Sequence, residues 1–522
     1  MCGILAVINS HPYLTWDVFQ SENKRGPDHT DIQKYDDITF GFHRLCINGL
    51  NPESNQPLKY GNCILICNGE IYNYKELYQR TGTTPTTQSD CEVILHLYIK
   101  YGIEHTLHLL DSSEYAFVLY DTLNKEIYVA RDPYGVRSLY QSVLNDTHIY
   151  ASEVKSLSDG TVSMFPAGYY SRYILDDEWI HDERIRYTAL PCIHAIDMDY
   201  SDLIRTTLTD AVFKRVQCTE RPIACLLSGG LDSSLITALV QKCCVKLGIT
   251  DKLQTYSIGM KGSEDLIYAE RVATFLGTQH TSVVMTEEEF FASIPEVIYN
   301  IESYDTTTVR ASVGNYLISK YIKEHSEAKV IFNGDGADEV AGGYLYLHRC
   351  PDEVEFDMEC RRLVENIQYF DALRSDKCIS SNGLESRTPY LDKAFVQLYM
   401  SIPSHLRIPK NGFEKFPLRN AFEGYLPKEV LWRRKEAFSD GVSPDNKAWY
   451  EIIQDHIPKD VHECFDKLDT TDMYNPPTTV EQYYYRSIFD TLFPNAEYVI
   501  PYFWMPKYTQ SKDCSARTLE CY

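Results

Sequence analysis

The residues able to do chemistry in this chain fall into two groups. Near the start stands Cys2. A thiolate is the useful nucleophile of a cysteine, and a free amine beside it can serve as its base. Removal of Met1, which a side chain as small as that of Cys2 should permit, would give one residue both groups. An α-amine has a pKa of about 7.7–8.0 and is partly unprotonated at neutral pH. Further on, Asn68-Gly69-Glu70-Ile71-Tyr72-Asn73 follows an apolar run. A side-chain amide plus a glycine N–H could cradle the oxyanion of acyl transfer. Arg44 could clamp a carboxylate through paired hydrogen bonds, and Asp90 could hold an ammonium. Taken singly, such features are more often a core thiol, an N-G turn, a surface ion pair or a helix cap.

The second group is Ser228-Gly229-Gly230-Leu231-Asp232-Ser233-Ser234, set between an apolar run at 223–227 and a helical pattern. Glycines let backbone approach a ligand, and a helix N-terminus directs free N–H groups and a favourable dipole at an anion. Asp232 could hold Mg²⁺ bridged to phosphate oxygens. The run is not the GxxxxGK[ST] loop of phosphoryl-transfer ATPases. A companion, Asn333-Gly334-Asp335-Gly336-Ala337-Asp338-Glu339, follows a short apolar strand and adds carboxylates at the edge where parallel sheets bind ligands. By itself it reads as a solvated acidic loop.

The elements that must position these residues change in texture along the chain. Residues 1 to about 175 read as short strands at 2–8, 39–46, 63–67, 116–121, 126–131 and 148–151, with a hairpin loop at 121–125. One helix is expected over 90–101, where Val93, Ile94, Leu97 and Tyr98 recur at helical spacing and Asp90 could cap it. The stretch 176–200 is polar and weakly patterned, which places a domain boundary there. Beyond it, strands at 223–227, 253–258 and 330–332 alternate with helices at 233–247, 266–276 and 312–323. That alternation implies a mostly parallel sheet covered by helices, followed from about 340 by a mainly helical part.

The chain has 522 residues, too many for one comfortable core, and 44% of them are apolar, normal for a globular protein. A formal charge of −24 argues against a broad nucleic-acid surface. No stretch is long and apolar enough to cross a membrane, and the opening apolar run lacks the basic flank of a secretory signal. The 16 cysteines are scattered rather than spaced as a disulfide scaffold or zinc site, so reduced thiols in a cytoplasmic protein are expected.

Cys2-Gly3-Ile4, Arg25-Gly26-Pro27-Asp28, Phe42-His43-Arg44-Leu45, Asn68-Gly69-Glu70-Ile71-Tyr72-Asn73 and Arg131-Asp132 together resemble the class II glutamine amidotransferases. The resemblance implies an N-terminal-nucleophile αββα sandwich of antiparallel sheets over residues 1–185. It also implies that Cys2 attacks the glutamine amide and that Asn68 and Gly69 form the oxyanion hole. Arg44, Leu45, Cys46, Ile47, Asn48, Asn68, Gly69, Glu70 and Asp90 would bind glutamine. The run 228–234 resembles the pyrophosphate loop of the ATP pyrophosphatases that adenylate a carboxylate. With 304–312, 383–392 and 434–441 added, residues 200–522 resemble the synthetase part of the glutamine-hydrolysing asparagine synthetases, an α/β parallel-sheet domain with a helical C-terminal part. The C-terminal runs 502–507 and 515–519 resemble eukaryotic-type members.

That family's reaction joins ATP, aspartate and glutamine through β-aspartyl-AMP and ammonia passed between two sites. The matching positions put Leu226, Ser228, Gly229, Gly230, Asp232, Ser233, Ser234, Ile258, Asn333 and Gly334 at ATP. They put Thr308, Arg310 and Asp392 at aspartate and the intermediate, Lys435 against phosphate charge, and Asp232 and Asp338 at Mg²⁺ through diphosphate. The oligomeric state stays open, a homodimer included. Three positions depart from the family's pattern: Lys24 replaces a histidine, Asp111-Ser112-Ser113-Glu114 lengthens an Asp-Gly turn, and Asp335 replaces a glutamate tied to the adenylate step. The second change is expected to touch no catalytic group. The rival readings are a related amide-forming ligase acting on another carboxylate, and a binding or regulatory protein with an impaired synthetase site.

Overall fold

The computed structural model describes residues 1–9, 16–157, 160–191, 196–444 and 446–519. The chain folds as two compact units. The first comprises Met1–Ala189, Cys218–Pro222 and Ile379–Glu385; the second comprises Leu190–Gln217, Ile223–Cys378 and Ser386–Tyr522.

The first unit is built on two six-stranded sheets, antiparallel throughout. One runs in the order Thr161–Met164, Tyr140–Leu144, Thr147–Ala151, Gly3–Ile8, Ile38–Arg44, His29–Tyr35. The other runs Trp179–Arg186, Tyr169–Leu175, Glu126–Arg131, Tyr115–Asp121, Cys63–Gly69, Leu58–Tyr60. Successive side chains of a strand point to opposite faces. Ile4, Ala6 and Ile8 of the first sheet therefore meet Ile64, Ile66, Val118 and Val129 of the second in one core. Leu65, Cys67, Phe117 and Leu119 face the other way, onto helices Tyr74–Thr81 and Val93–Leu109. Burial of both faces explains why Tyr115–Asp121 is apolar almost throughout. The outer face of the first sheet is met by Phe19 of the short helix Trp16–Gln20, which stacks on His43 at 3.9 Å. The four-layer sandwich expected from the motifs is present.

Two details differ from expectation. The polar stretch 176–200 contains the strand Trp179–Arg186, an edge strand that buries little beyond Trp179 and so carries no clear apolar period. The helix expected at 90–101 runs instead as a short turn Asp90–Glu92 and then Val93–Leu109, broken at Gly102.

In the second unit the sheet order is Gln279–Met285, Gln254–Met260, Ile223–Leu226, Val330–Phe332, Glu385–Arg387, and the first four strands are parallel. Helix Leu231–Lys246 follows the central strand Ile223–Leu226, and Thr306–His325 precedes Val330–Phe332. Beyond residue 340 the chain is mainly helical. No described helix is long and apolar enough to cross a membrane, and the described cysteines are free thiols.

Ile66 sits fully buried in the layer between the two antiparallel sheets. Ile66→Ala should lower the unfolding free energy of that unit by about 2–5 kcal/mol, through lost burial plus the cavity left behind, as measured by urea denaturation.

Candidate active site

Strand alternation decides what faces the inner layer of the first unit. Cys2 packs against that layer one step before Ile4, and the inward series Ile64, Ile66 continues to Asn68. Thiol and carboxamide therefore share one inner face. Asn68 is fully buried, and among the described residues neither its Nδ2 nor its Oδ1 has a hydrogen-bond partner. Leaving a buried amide unpaired costs about 1–3 kcal/mol, so such a group in a native fold calls for an explanation. A ligand atom supplies one.

Cys2 Sγ donates to Leu45 O at 3.7 Å. Burial pushes the thiol up to about 12, although the chain's amine and Arg44 pull the other way. The Met1 amine donates to Leu384 O at 3.1 Å, and burial lowers it to about 6. Arg25 Nε holds Cys2 O at 2.9 Å while its Nη1 binds Glu153 at 2.6 Å and Ser380 at 2.9 Å. Asp28 accepts from Cys46 N at 2.7 Å. The Arg-Gly-Pro-Asp motif is thus a frame that fixes both the Cys2 segment and the 44–48 loop. Lys24, in the departing position beside it, is exposed.

The expected glutamine residues are brought together around that loop. Arg44 donates to Asn51 O at 3.0 Å, Asn55 Oδ1 at 2.6 Å, Asn48 O at 3.2 Å and Gly49 O, so it shapes the loop 48–55. A substrate carboxylate would have to displace one of these acceptors. Leu45, Cys46 and Ile47 are buried. Asn48 Nδ2 donates to Glu70 Oε2 at 2.6 Å. Asp90 does not cap its helix; its carboxylate accepts from Ile71 N at 2.6 Å and steadies the turn after Gly69. Asp132 accepts from the N–H groups of Tyr134, Val136 and Arg137, and Arg131 donates to Gly135, Arg137 and Phe165 carbonyls, so that motif staples a loop.

In the second unit a cleft opens at the C-terminal ends of Ile223–Leu226 and Val330–Phe332. Leu226, Tyr256 and Ile258 line it with Ser228, Gly230, Asp232, Ser233, Asn333, Gly334, Asp335, Asp338 and Lys435. Ser228 N and Oγ bond Ser233 Oγ at 3.1 and 3.0 Å, closing the loop on the first turn of Leu231–Lys246. Gly229 has φ +76°, and a Cβ there would lie 2.4 Å from Ala269 N. Only glycine fits. Asn333 is fixed by Ser375 at 2.7 Å and accepts from Asp335 N at 3.1 Å.

Charge in the cleft is arranged as a ring. Lys415 Nζ lies 2.6 Å from Asp232 Oδ2 and 2.5 Å from Asp338 Oδ1; Lys435 Nζ lies 2.7 Å from Asp338 Oδ2 and 3.5 Å from Asp232 Oδ2. Burial would raise Asp338, but Lys415 and Lys435 outweigh it and hold the carboxyl below the usual range. Burial would likewise lower Lys435, and Asp338 with Asp232 pushes it well up instead. Asp335 Oδ1 accepts from Arg374 Nη2 at 2.8 Å; burial raises its carboxyl against the pull of Arg374. The buried Lys415 and Arg374 were not visible in the sequence, because neither sits in a motif and both reach the cleft from distant segments.

Several expected residues do not line the cleft. Ser234 is buried behind the loop, with an Oγ that has no partner among the described residues. Thr308 donates its hydroxyl and N–H to Asp305, as part of a helix cap. Arg310 is saturated by Glu481 at 2.6–2.7 Å and Asp513 at 2.7–2.8 Å. Asp392 is held by Lys214 and Arg215, both at 2.6 Å, and accepts from Ala394 N. For Arg310 and Asp392, partners from remote segments hold the side chains behind the wall of the cleft, and for Thr308 the local helix cap does so. Arg310 thereby anchors the C-terminal segment, whose Ser515 and Ala516 bind Asp440 at 2.6 and 3.0 Å and whose Ala516 reaches the cleft.

Comparison with known proteins bears on both units. The family described as glutamine amidotransferase domain matches residues 1–173, and that described as asparagine synthase matches 203–358 and 351–510. Asparagine synthetase [glutamine-hydrolyzing] of Gallus gallus is 40% identical over 563 aligned residues, covering 100% of this chain and 99% of that protein. This chain belongs to the glutamine-hydrolysing asparagine synthetase family. The Rattus norvegicus and Homo sapiens proteins of the same name are 40% and 39% identical with the same coverage. Among solved structures, a glutamine phosphoribosylpyrophosphate amidotransferase from B. subtilis covers 54% of this chain and 81% of that one, at 16% identity and a TM-score of 0.32.

For this asparagine synthetase family member the charge ring yields a direct test. Lys415→Met leaves Asp232 and Asp338 to share Lys435 alone. An uncompensated buried charge costs about 3–5 kcal/mol; the variant should lose stability on that scale in urea unfolding and lose ATP-dependent diphosphate release.

Proposed function

We propose that this chain synthesises asparagine from aspartate, ATP and glutamine, with AMP, diphosphate and glutamate as the other products. Full-length relatedness to proteins named for that activity supports the reaction as a whole. The observation that carries its glutamine-dependent half is the orphaned Asn68 carboxamide on the face that Cys2 shares.

In the first unit the reaction needs a competent thiol. With Met1 in place, the Cys2 thiol is pushed to about 12 and the nearest amine belongs to another residue. Removal of Met1 moves the free amine onto Cys2, where it takes the thiol proton. The sulfur then attacks the side-chain carbonyl of glutamine. The oxyanion that forms lies between Asn68 Nδ2 and Gly69 N–H. Collapse of that intermediate returns the proton to the leaving nitrogen, ammonia departs, and water hydrolyses the thioester to glutamate. Glu70, held by Asn48, and the 44–48 loop form the pocket for the amino-acid end of glutamine.

In the second unit an aspartate β-carboxylate oxygen attacks the α-phosphorus of ATP, giving β-aspartyl-AMP as diphosphate leaves. The Ser228–Ser233 loop and the helix start receive the diphosphate, Lys415 and Lys435 turn from carboxylates to phosphates, and Leu226, Tyr256 and Ile258 bound the nucleotide. Ammonia attacks the acyl carbon, AMP leaves, and the surplus proton passes to water. Thr308, Arg310 and Asp392 support the cleft from behind. Asp335, pinned by Arg374, takes the place of the longer glutamate, so Asp335→Glu should keep or raise the rate.

Mg²⁺ fits the donor set. Asp232 Oδ1 has no partner among the described residues, and with Asp338 it offers the hard oxygens such an ion takes. No cluster of three or more metal-ligating side chains occurs among the described residues, so phosphate and water oxygens would complete the shell. Bound there, the ion would neutralise diphosphate charge.

Incubation with aspartate, ATP, Mg²⁺ and amide-¹⁵N glutamine should give ¹⁵N-asparagine. Cys2→Ala should abolish transfer from glutamine while keeping synthesis from free ammonia. Mass spectrometry should show the active protein lighter by one methionine residue. Unlabelled asparagine, or none at all, contradicts the reading.

A further inference from the structure

The lengthened turn Asp111-Ser112-Ser113-Glu114 was expected to touch no catalytic group, yet the structure sets it against the Asn68–Glu70 turn. Glu70 N donates to Glu114 O at 3.0 Å, and Ser112 Oγ donates to Glu70 O at 2.5 Å. The same hydroxyl accepts from Glu114 N at 3.2 Å. The peptides on both sides of Glu70 are therefore tied to one short segment. Its approach is close: a Cβ on Gly69 would lie 2.5 Å from Glu114 O. The segment is itself pinned. Glu114 Oε2 accepts from Tyr72 OH at 2.8 Å and from Arg137 Nη2 at 2.8 Å, with both side chains of that ion pair fully buried. A hydrogen-bonded buried carboxylate of this kind gives up its geometry only at a large desolvation cost.

We propose that Ser112 and Glu114 are positioning residues for glutamine. They fix the two peptides that flank Glu70, and with them the aim of the Glu70 carboxylate at the substrate and the path of the chain just after the Gly69 N–H. They touch neither glutamine nor the reacting sulfur. The inference rests on the glutaminase reading of Cys2. A merely structural segment would scale all activities together; a positioning segment alters only the half-reaction whose geometry it sets.

The test compares full-length parent, Ser112→Ala, Glu114→Gln and Cys2→Ala for asparagine formation from glutamine and from ammonia. Small misplacements cost up to about a hundredfold, so Ser112→Ala and Glu114→Gln should raise the glutamine KM about tenfold or more, with the ammonia-dependent rate within about twofold of parent. Labelling of Cys2 by the glutamine analogue 6-diazo-5-oxo-L-norleucine should slow, while alkylation by iodoacetamide, which needs no pocket, should not. Ser112→Ala leaves the buried Glu114–Arg137 pair intact, so it decides the matter if Glu114→Gln fails to fold. Parental glutamine KM in the folded variants, or equal loss of both activities, overturns the proposal. Glutamine use that survives Cys2→Ala instead overturns the glutaminase reading beneath it.

Discussion

Mutual neutralisation of Asp232, Asp338, Lys415 and Lys435 is the constraint on which the second unit depends. None of these charges could be held away from water alone at acceptable cost, because an isolated ion in a poorly solvated site loses several kcal/mol. Together they balance, and the balance joins the start of helix Leu231–Lys246, the start of Ala337–Ala341, the residue before Phe416–Ala421 and the run after Trp432. A neutral ring also suits a transient anion. In the proposed reaction, entering diphosphate charge would give the ammoniums a better partner and leave the carboxylates free for a cation. The cleft can thus be ordered before its ligand arrives and still gain new contacts when it binds.

The first unit uses the opposite device. Several buried polar groups around the turn at Asn68 are paired: Asp90 on Ile71 N, Glu114 on Tyr72 and Arg137, Arg25 on Cys2 O and Glu153. Asn68 has both amide atoms unpartnered among the described residues. A braced surround around an unsatisfied donor is what electrostatic preorganisation would require of the proposed oxyanion site, since the donor need not reorganise when charge develops. The sandwich supplies that rigidity by burying both faces of the strand that carries Asn68.

Much of this was legible in the sequence where local pattern carries the signal. The hairpin around 121–125 is closed by the pair Asp121↔Glu126, and the strand–loop–helix at 223–246 is a local consequence of apolar run, glycines and helix former. Strands with mixed exposure, such as Gln279–Met285 and Trp179–Arg186, were not legible, because an edge strand has no strict apolar period. Nor were side-chain roles set by distant partners. Arg310 looks like a substrate ligand in its motif; only the fold reveals Glu481 and Asp513 around it. Lys415 looks like any surface lysine until the fold sets it between Asp232 and Asp338.

We propose the ring of lysines and carboxylates as the diphosphate site. Its most direct test is a crystal structure of the protein with magnesium diphosphate. Lys415 and Lys435 should be found on phosphate oxygens, with Asp232 and Asp338 turned to the metal and the anion seated at the Ser228–Ser233 loop. Diphosphate bound elsewhere, with the ring still closed on itself, would contradict the account.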